Sequence, residues 1–102
     1  MKSIKFNIEN EFIIKKSKFI TKLYFVTSEI EIKNILDENK TEYKDATHIC
    51  YAYILNNVER FNDDSEPSGT AGMPILNVLK NNNLNNVLCV VIRYFGGIKL
   101  GA

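Results

Sequence analysis

The chain has 102 residues, enough for one domain with a single hydrophobic core, and 45% hydrophobic and 25% charged residues are typical of a globular protein. The formal net charge of +1 excludes general attraction to nucleic acid, so any site for an anion has to be local. No apolar run reaches the ~20 residues of a membrane-spanning helix, and the charged N-terminal segment is unlike a signal peptide. We therefore expect one cytoplasmic domain over residues 1–102.

The N-terminal quarter of the chain predicts strands. Residues 4–8 alternate between apolar and polar side chains, which is the period-two pattern of a half-buried strand. Residues 12–14 and 19–26 carry further β-branched and aromatic side chains. We expect these two runs to form strands around a turn near residues 16–17.

A helix should follow from Ser28. Ser28 and Glu31 have the spacing of a capping box, in which each side chain binds a free backbone N–H group at the start of a helix. Ile32, Ile35 and Leu36 then recur at helical spacing. We expect this helix to end near Asn39.

The second half of the chain predicts two buried strands around a helix. Residues 47–55 and 87–95 are apolar on both faces, which favours central strands. Residues 56–66 read as a polar loop, and residues 70–80 as a helix. The Asn-rich residues 81–86 predict a turn, because Asn tolerates left-handed backbone angles.

This order of elements predicts an α+β fold. We expect a two-layer sandwich with the helices on one face of a mainly four-stranded sheet. The last two strands are joined by a helical crossover, which favours parallel pairing between them. Cys50 and Cys89 lie inside apolar runs and should be buried, reduced thiols, and His48, the single histidine, should have a structural role.

Residues 60–72 form an acidic loop that leads into a turn of small residues before the second helix. Gly69 and Gly72 permit close approach by another molecule, and Ser68 and Thr70 suit a helix cap. Free N–H groups at such a helix start attract phosphate. The alternative, which the pattern alone favours, is a capped helix after a tight loop.

The carboxylates of this loop leave a second alternative open. Asp63, Asp64 and Glu66 have the oxygen ligands that Mg²⁺ prefers, although carboxylates in loops are more often simply solvated. No nucleophile–base pair, phosphate-binding P-loop or dinucleotide fingerprint accompanies them. We expect no metal, no cofactor and no catalytic residue.

Two further segments carry functional residues. A buried strand runs into a turn at Gly96 and Gly97, followed by Lys99, which is either a plain turn or a second backbone surface with one charge. Residues 15–18, Lys-Lys-Ser-Lys, form a basic turn that could contact a phosphate backbone. Whether these turns meet the acidic loop depends on the topology of the sheet.

Read together, these segments resemble the Impact/YigZ family. The resemblance is carried by residues 15–20, 46–53, 63–76 and 93–101 in this order and spacing, and it covers roughly residues 11–102. The family's acidic loop usually reads DDGEPSGTAG, whereas this chain has Ser65 at the first glycine. In the family the GGIKLG stretch leads into another glycine turn and a helix, so the resemblance implies a domain that is incomplete at its C-terminus.

The resemblance implies a fold and a broad role. The fold is that of the second domain of the small-subunit ribosomal protein number five, with a left-handed β-α-β crossover. Eukaryotic Impact proteins are translational regulators that act by protein–protein competition. A chain without the last helix should expose an apolar sheet face, so we expect lower stability or self-association through that face.

Two functions remain open on the sequence. The first is a non-catalytic, translation-associated module that binds RNA, the ribosome or a translation-regulatory protein. The alternative is a metal-assisted enzyme acting on a phosphorylated small molecule. The residues expected to bind are Arg60, Asp63, Asp64, Glu66, Ser68, Gly69, Thr70, Gly72, Gly96, Gly97, Lys99, Lys15, Lys16 and Lys18.

Overall fold

A computed structural model describes residues 8–14, 17–64 and 71–94. Within them the chain forms five strands and two helices. The elements are β1 (Ile8–Ile14), β2 (Ser17–Phe25), α1 (Glu29–Glu42), β3 (His48–Leu55), β4 (Val58–Asn62), α2 (Gly72–Asn81) and β5 (Val87–Tyr94).

The five strands form one antiparallel sheet with the order β1-β2-β5-β3-β4. The expected four strands are therefore five, and the expected parallel pairing of the last two central strands is wrong, because β3 and β5 are antiparallel. The crossover helix α1 instead joins β2 to β3, which are parallel to each other on either side of β5. The left hand expected for this crossover stays a prediction.

The two helices lie on opposite faces of the sheet. Leu88 and Val90 of β5 pack in one apolar cluster with α1, whereas Val87 and Cys89 pack in a second cluster with α2. Adjacent residues of a strand point to opposite faces, so the two clusters are separated by the sheet. The expectation of both helices on one face is wrong. Both faces of β3 and β5 are apolar because a helix covers each face.

The helix α1 begins as the sequence predicts and ends later. The Ser28 hydroxyl accepts a hydrogen bond from the Glu31 backbone N–H at 3.1 Å. The Glu31 carboxylate in turn accepts from the Thr27 backbone N–H at 2.7 Å, which completes the capping box one residue further back. The helix continues past Asn39 to Glu42. Asn39 is 2% exposed, and its side-chain amide donates a hydrogen bond to the Tyr24 hydroxyl at 3.0 Å.

The end of α1 is tied to the sheet through Lys22. Its ammonium lies 3.5 Å from Glu42, 3.6 Å from Glu9 of β1 and 4.8 Å from the centre of the Tyr43 ring. Burial opposes its charge, but the hydrogen bond to Tyr43 and the Glu42 carboxylate outweigh burial, so the pKa of Lys22 lies above its ordinary value.

The expected polar loop after β3 is a hairpin with a fifth strand. Asn56 and Asn57 have φ values of 50° and 67°, which suit a tight two-residue turn between β3 and β4. Their backbone N–H groups donate to the side chains of Asn86 at 2.9 Å and Asn85 at 3.1 Å. The side chains of the Asn-rich segment therefore bind the hairpin turn and hold it beside the start of β5.

The helix α2 ends in a Schellman motif. Asn83 has φ 55°, and its N–H donates to the Lys80 carbonyl at 3.0 Å. The Leu84 N–H donates to the Leu79 carbonyl at 3.1 Å, and both leucines belong to the α2 cluster. The predicted Asn turn is confirmed.

The two cysteines have the environment that the sequence predicts. Cys50 and Cys89 are buried and free, and burial raises the pKa of the Cys89 thiol to about 11. In the described part of the chain no helix has the length and apolar character needed to cross a membrane.

Candidate functional site

The strand ends next to all three functional segments meet at one end of the sheet. Lys18, the last residue of the basic turn, pairs with Tyr94, the last described residue before the glycines at 96 and 97. Arg93 pairs with His48 at the start of β3, and the Asp64 carbonyl lies 2.8 Å from the His48 ring nitrogen Nδ1. Antiparallel pairing therefore brings the described ends of these strands together, and this end of the sheet is called the loop end below.

The Asp63 side chain caps the start of α2. Its Oδ1 atom accepts hydrogen bonds from the backbone N–H groups of Ala71 at 3.0 Å and Gly72 at 2.5 Å. Ala71, at the N-cap position, makes no side-chain hydrogen bond there. These two amides, which the sequence offered as donors to a phosphate, are therefore occupied by a carboxylate of the chain itself.

Asp64 joins the loop to β3. Its carboxylate accepts from the Ile49 backbone N–H at 2.5 Å, and its own N–H donates to the Asn62 side chain at 2.7 Å. Its φ of 50° turns the chain sharply at this point. Both described carboxylates of the loop face backbone donors, and His48 has the structural role expected of it, since Nδ1 is held by the Asp64 carbonyl.

Cationic groups lie on both faces of the loop end. The Lys18 ammonium is 5.7 Å from the centre of the Tyr94 ring and 3.8 Å from the Glu11 carboxylate, and its side chain is 37% exposed. The Arg93 guanidinium lies 5.6 Å from the centre of the Phe19 ring. Lys18 and Arg93 belong to opposite sides of the strand pleat, so each face of the loop end carries one cationic side chain.

The α1 face of the loop end also carries a polar pair. The Tyr94 hydroxyl donates to the Asp45 carboxylate at 3.1 Å. Burial first, and then this hydrogen bond, raise the pKa of Tyr94 to about 12. Asp45 is therefore a third carboxylate whose oxygen is engaged by a donor of the chain.

Gly72 has a packing role. A Cβ atom at this position would lie 2.7 Å from the Phe61 ring and 3.1 Å from the backbone N and O atoms of Asn62. The glycine thus allows α2 to approach β4 closely. Arg60, two residues before the end of β4, is exposed, and its guanidinium donates to the Glu59 carbonyl at 2.8 Å.

The described part of the chain contains five of the expected binding residues, and it brings Lys18, Asp63, Asp64 and Gly72 to the loop end, with Arg60 further along the edge strand. The sequence motif RYFGGIKLG contains Arg93 and Tyr94, although neither is among the expected binding residues, and the structure places both at this end. The other expected binding residues lie outside the described residues: Lys15, Lys16, Glu66, Ser68, Gly69, Thr70, Gly96, Gly97 and Lys99.

The described residues offer few side chains that could bind a metal ion together. Residues 8–14, 17–64 and 71–94 contain no group of three or more His, Cys, Asp or Glu side chains that could hold a metal ion. Asp63 and Asp64 each spend a carboxylate oxygen on backbone N–H groups. The alternative of a metal-assisted enzyme gains no support from these residues and stays a prediction.

The fold and its loop end define a small α+β module of a known class. The pattern of the Impact N-terminal domain matches residues 15–102. The chain is 47% identical over 97 residues to the IMPACT family member YvyE of Bacillus subtilis and 39% identical over 93 residues to YigZ of Escherichia coli. It therefore belongs to the Impact family, as the sequence motifs predict.

These relatives are longer than this chain. The matches cover 92% and 86% of the chain but 45% of YvyE and 46% of YigZ, so the chain spans about half the length of the relatives it matches. Among solved structures, the crystal structure of a hypothetical protein superposes with a TM-score of 0.87 at 34% identity, covering 97% of this chain and 50% of that one. The two-domain translational regulator Yih1 shares the fold, with a TM-score of 0.68 at 22% identity over 95% of this chain and 40% of its own.

Proposed function

We propose that the chain is a non-catalytic, translation-associated binding module that contacts ribosomal RNA through its loop end. The segments involved are the acidic EPSGTAG loop, the RYFGGIKLG loop and the basic turn at residues 15–18. The observation that carries the proposal is the convergence of the flanking strand ends, with Lys18 and Arg93 on the two faces of one sheet end. A cytoplasmic location is part of the same proposal.

The charges of the loop end favour an anionic partner over a basic one. Asp63 and Asp64 accept backbone hydrogen bonds, and Asp45 accepts from Tyr94, so these three carboxylates are engaged inside the chain. Phosphate contacts generally come from Lys and Arg side chains and from backbone N–H groups. The basic turn and Lys99 supply the former by sequence, and the glycine turns supply the latter.

The relatives are consistent with a role in translation. The structure of Yih1 is that of a translational regulator, and the protein IMPACT of Homo sapiens is 35% identical to this chain over 94 residues. We infer a similar setting for this chain. The likeness to the second domain of the small-subunit ribosomal protein, with a left-handed crossover, is part of this inference.

The test is co-sedimentation with ribosomes at about 50 mM and about 200 mM salt. The variant Lys18→Gln removes one cation at the loop end. Its matched control is Lys80→Gln, because both lysines lie near a glutamate, at 3.8 Å and 3.5 Å, and their side chains are 37% and 47% exposed. Lys80 lies in the last turn of α2, which leads to the opposite end of the sheet.

We expect salt-sensitive binding that Lys18→Gln weakens severalfold, with a salt dependence reduced by about one ion contact, and that Lys80→Gln leaves unchanged. Equal effects of the two variants would mean unspecific charge attraction and would refute a site at the loop end. Folded protein that fails to bind ribosomes at the lower salt would refute the RNA version and favour a protein partner.

A further inference from the structure

Two cation–aromatic pairs lie next to each other at the loop end. Lys18 is the partner of Tyr94 across β2 and β5, and the next residue pair in the register is Phe19 with Arg93. The Lys18 ammonium lies 5.7 Å from the centre of the Tyr94 ring, and the Arg93 guanidinium lies 5.6 Å from the centre of the Phe19 ring. Each cationic group is therefore attracted to an aromatic ring of the neighbouring strand, which holds it at the sheet end.

The two pairs lie on opposite faces of the sheet. Tyr94 packs against the apolar cluster of α1, whereas Val91, two residues before Arg93, packs against the cluster of α2. Because alternate residues of a strand share a face, Arg93 lies on the α2 face. Packed sheets lie ~10 Å apart, and this distance is also the thickness of one sheet with its side chains. The sheet end therefore separates the two cationic groups by about its own thickness.

Both cationic groups have donors to offer a phosphate. Glu11 lies 3.8 Å from Lys18, but the two side chains are 51% and 37% exposed, and an exposed ion pair of this kind contributes little free energy. Lys18 can therefore exchange this carboxylate for a phosphate at low cost. The Arg93 guanidinium has five N–H donors, so it can contact a phosphate while it keeps a contact within the chain.

We propose that the RNA bound at the loop end is double-stranded, with Lys18 and Arg93 contacting phosphates of its two strands. This inference rests on the proposed function, because it names the form of the RNA. A single strand has one phosphate backbone, which follows one face of the sheet end and reaches one of the two cationic groups.

A duplex presents two backbones on the two sides of a groove. Groove widths of ~6–12 Å in B-form DNA are similar to the thickness of one sheet. The minor groove of A-form RNA is wide and shallow, and proteins that bind double-stranded RNA contact it and the phosphates beside it. The geometry of the two cationic groups thus fits a groove with one backbone on each face of the sheet end.

Fluorescence anisotropy of the whole chain tests this proposal with two RNA probes, a duplex of about 16 base pairs and one of its strands alone, at about 50 mM and about 200 mM salt. Lys18→Gln and Arg93→Gln each remove one cationic group, and Lys80→Gln is the control at an exposed lysine of α2. Phe19→Leu is a second variant on the α2 face, because it keeps the Arg93 charge and removes the ring beside it. Circular dichroism reports folding of each variant.

We expect the duplex to bind at least about tenfold more tightly than the single strand. Lys18→Gln and Arg93→Gln should each weaken duplex binding severalfold and reduce its salt dependence by about one ion contact. Phe19→Leu should weaken duplex binding with an unchanged salt dependence, and Lys80→Gln should have no effect.

Equal binding of the two RNA probes would overturn the double-stranded form of the partner, and so would duplex binding that folded Arg93→Gln or Phe19→Leu leaves unchanged. If ribosomes still bound in a manner that depends on Lys18, the proposed function would stand without this inference. A folded chain that binds neither RNA probe nor ribosomes would overturn both.

Discussion

The cap that Asp63 provides to α2 can be tested by removing its carboxylate. Asp63 lies eight and nine residues before the amides it binds, so it holds the far end of the loop against the helix start. Asp63→Ala leaves the N–H groups of Ala71 and Gly72 without this acceptor. Gly72 is buried, which limits the access of water to the freed groups.

The expected loss follows from two hydrogen bonds. Loss of a helix cap costs about 1 kcal/mol, and hydrogen bonds to a charged group contribute about 1.5–3 kcal/mol each. Allowing for partial replacement by water, we expect Asp63→Ala to lower the free energy of unfolding by about 2–3 kcal/mol. In a domain of this size that corresponds to a fall in Tm of about 8–24 °C.

Urea denaturation and thermal melts followed by far-UV circular dichroism measure this loss. Asp63→Asn is the control, because its amide oxygen can still accept both hydrogen bonds without the favourable charge at the helix N-terminus, and it should cost about 1 kcal/mol. If Asp63→Ala lowered stability by less than about 0.5 kcal/mol, the carboxylate would not be a structural cap. Asp63 would then be available to a partner, and the charge argument for RNA would fail.

Three further predictions concern particular backbone and side-chain positions. Gly72→Ala should lower stability by about 1–3 kcal/mol in urea titrations, because its Cβ would lie 2.7 Å from the Phe61 ring and would crowd the Asn62 backbone at 3.1 Å. An unchanged midpoint would contradict that contact. Asn57→Gly should raise Tm by a few degrees, since φ is 67° in the hairpin turn, and a lower Tm would count against the turn geometry. Burial and the Glu29 hydrogen bond raise the pKa of Tyr53 to about 12. The contribution of this tyrosine to stability is therefore complete below about pH 10 and declines from pH 10 to 12. Between these pH values the urea midpoint of Tyr53→Phe should fall less than that of the unchanged chain.

The local elements of this fold are readable from the sequence because their signals are local. The capping box at Ser28 and the apolar runs of β3 and β5 depend on neighbours in the chain, and the structure has all three. The strand β4 was missed because Val58–Asn62 is an edge strand with every residue exposed, so it shows no apolar alternation. The pair Asn56-Asn57, which precedes this strand, is the sequence signal of a hairpin turn.

The apolar faces of β3 and β5 predict helices on both faces of the sheet. A strand with both faces apolar needs cover on both faces, and β3 and β5 each have that character. Two helices on one face would have left the Val87 and Cys89 side uncovered, whereas α2 covers part of it. The antiparallel pairing of β3 with β5 could not be read in the same way, because the hairpin β4 reverses the chain between β3 and α2.

The partners of Asp63 and Asp64 depend on how β4 pairs with β3. In the sequence, Asp63 and Asp64 are equally suited to a metal, a basic partner or a cap, and they conflict with an RNA partner. The end of β4 brings both beside the start of β3, where Asp64 binds the Ile49 N–H and Asp63 reaches the start of α2. Because their oxygens accept hydrogen bonds from these backbone donors, the two carboxylates have structural partners within the chain, and the energy for binding an anionic partner has to come from the lysines and amides around them.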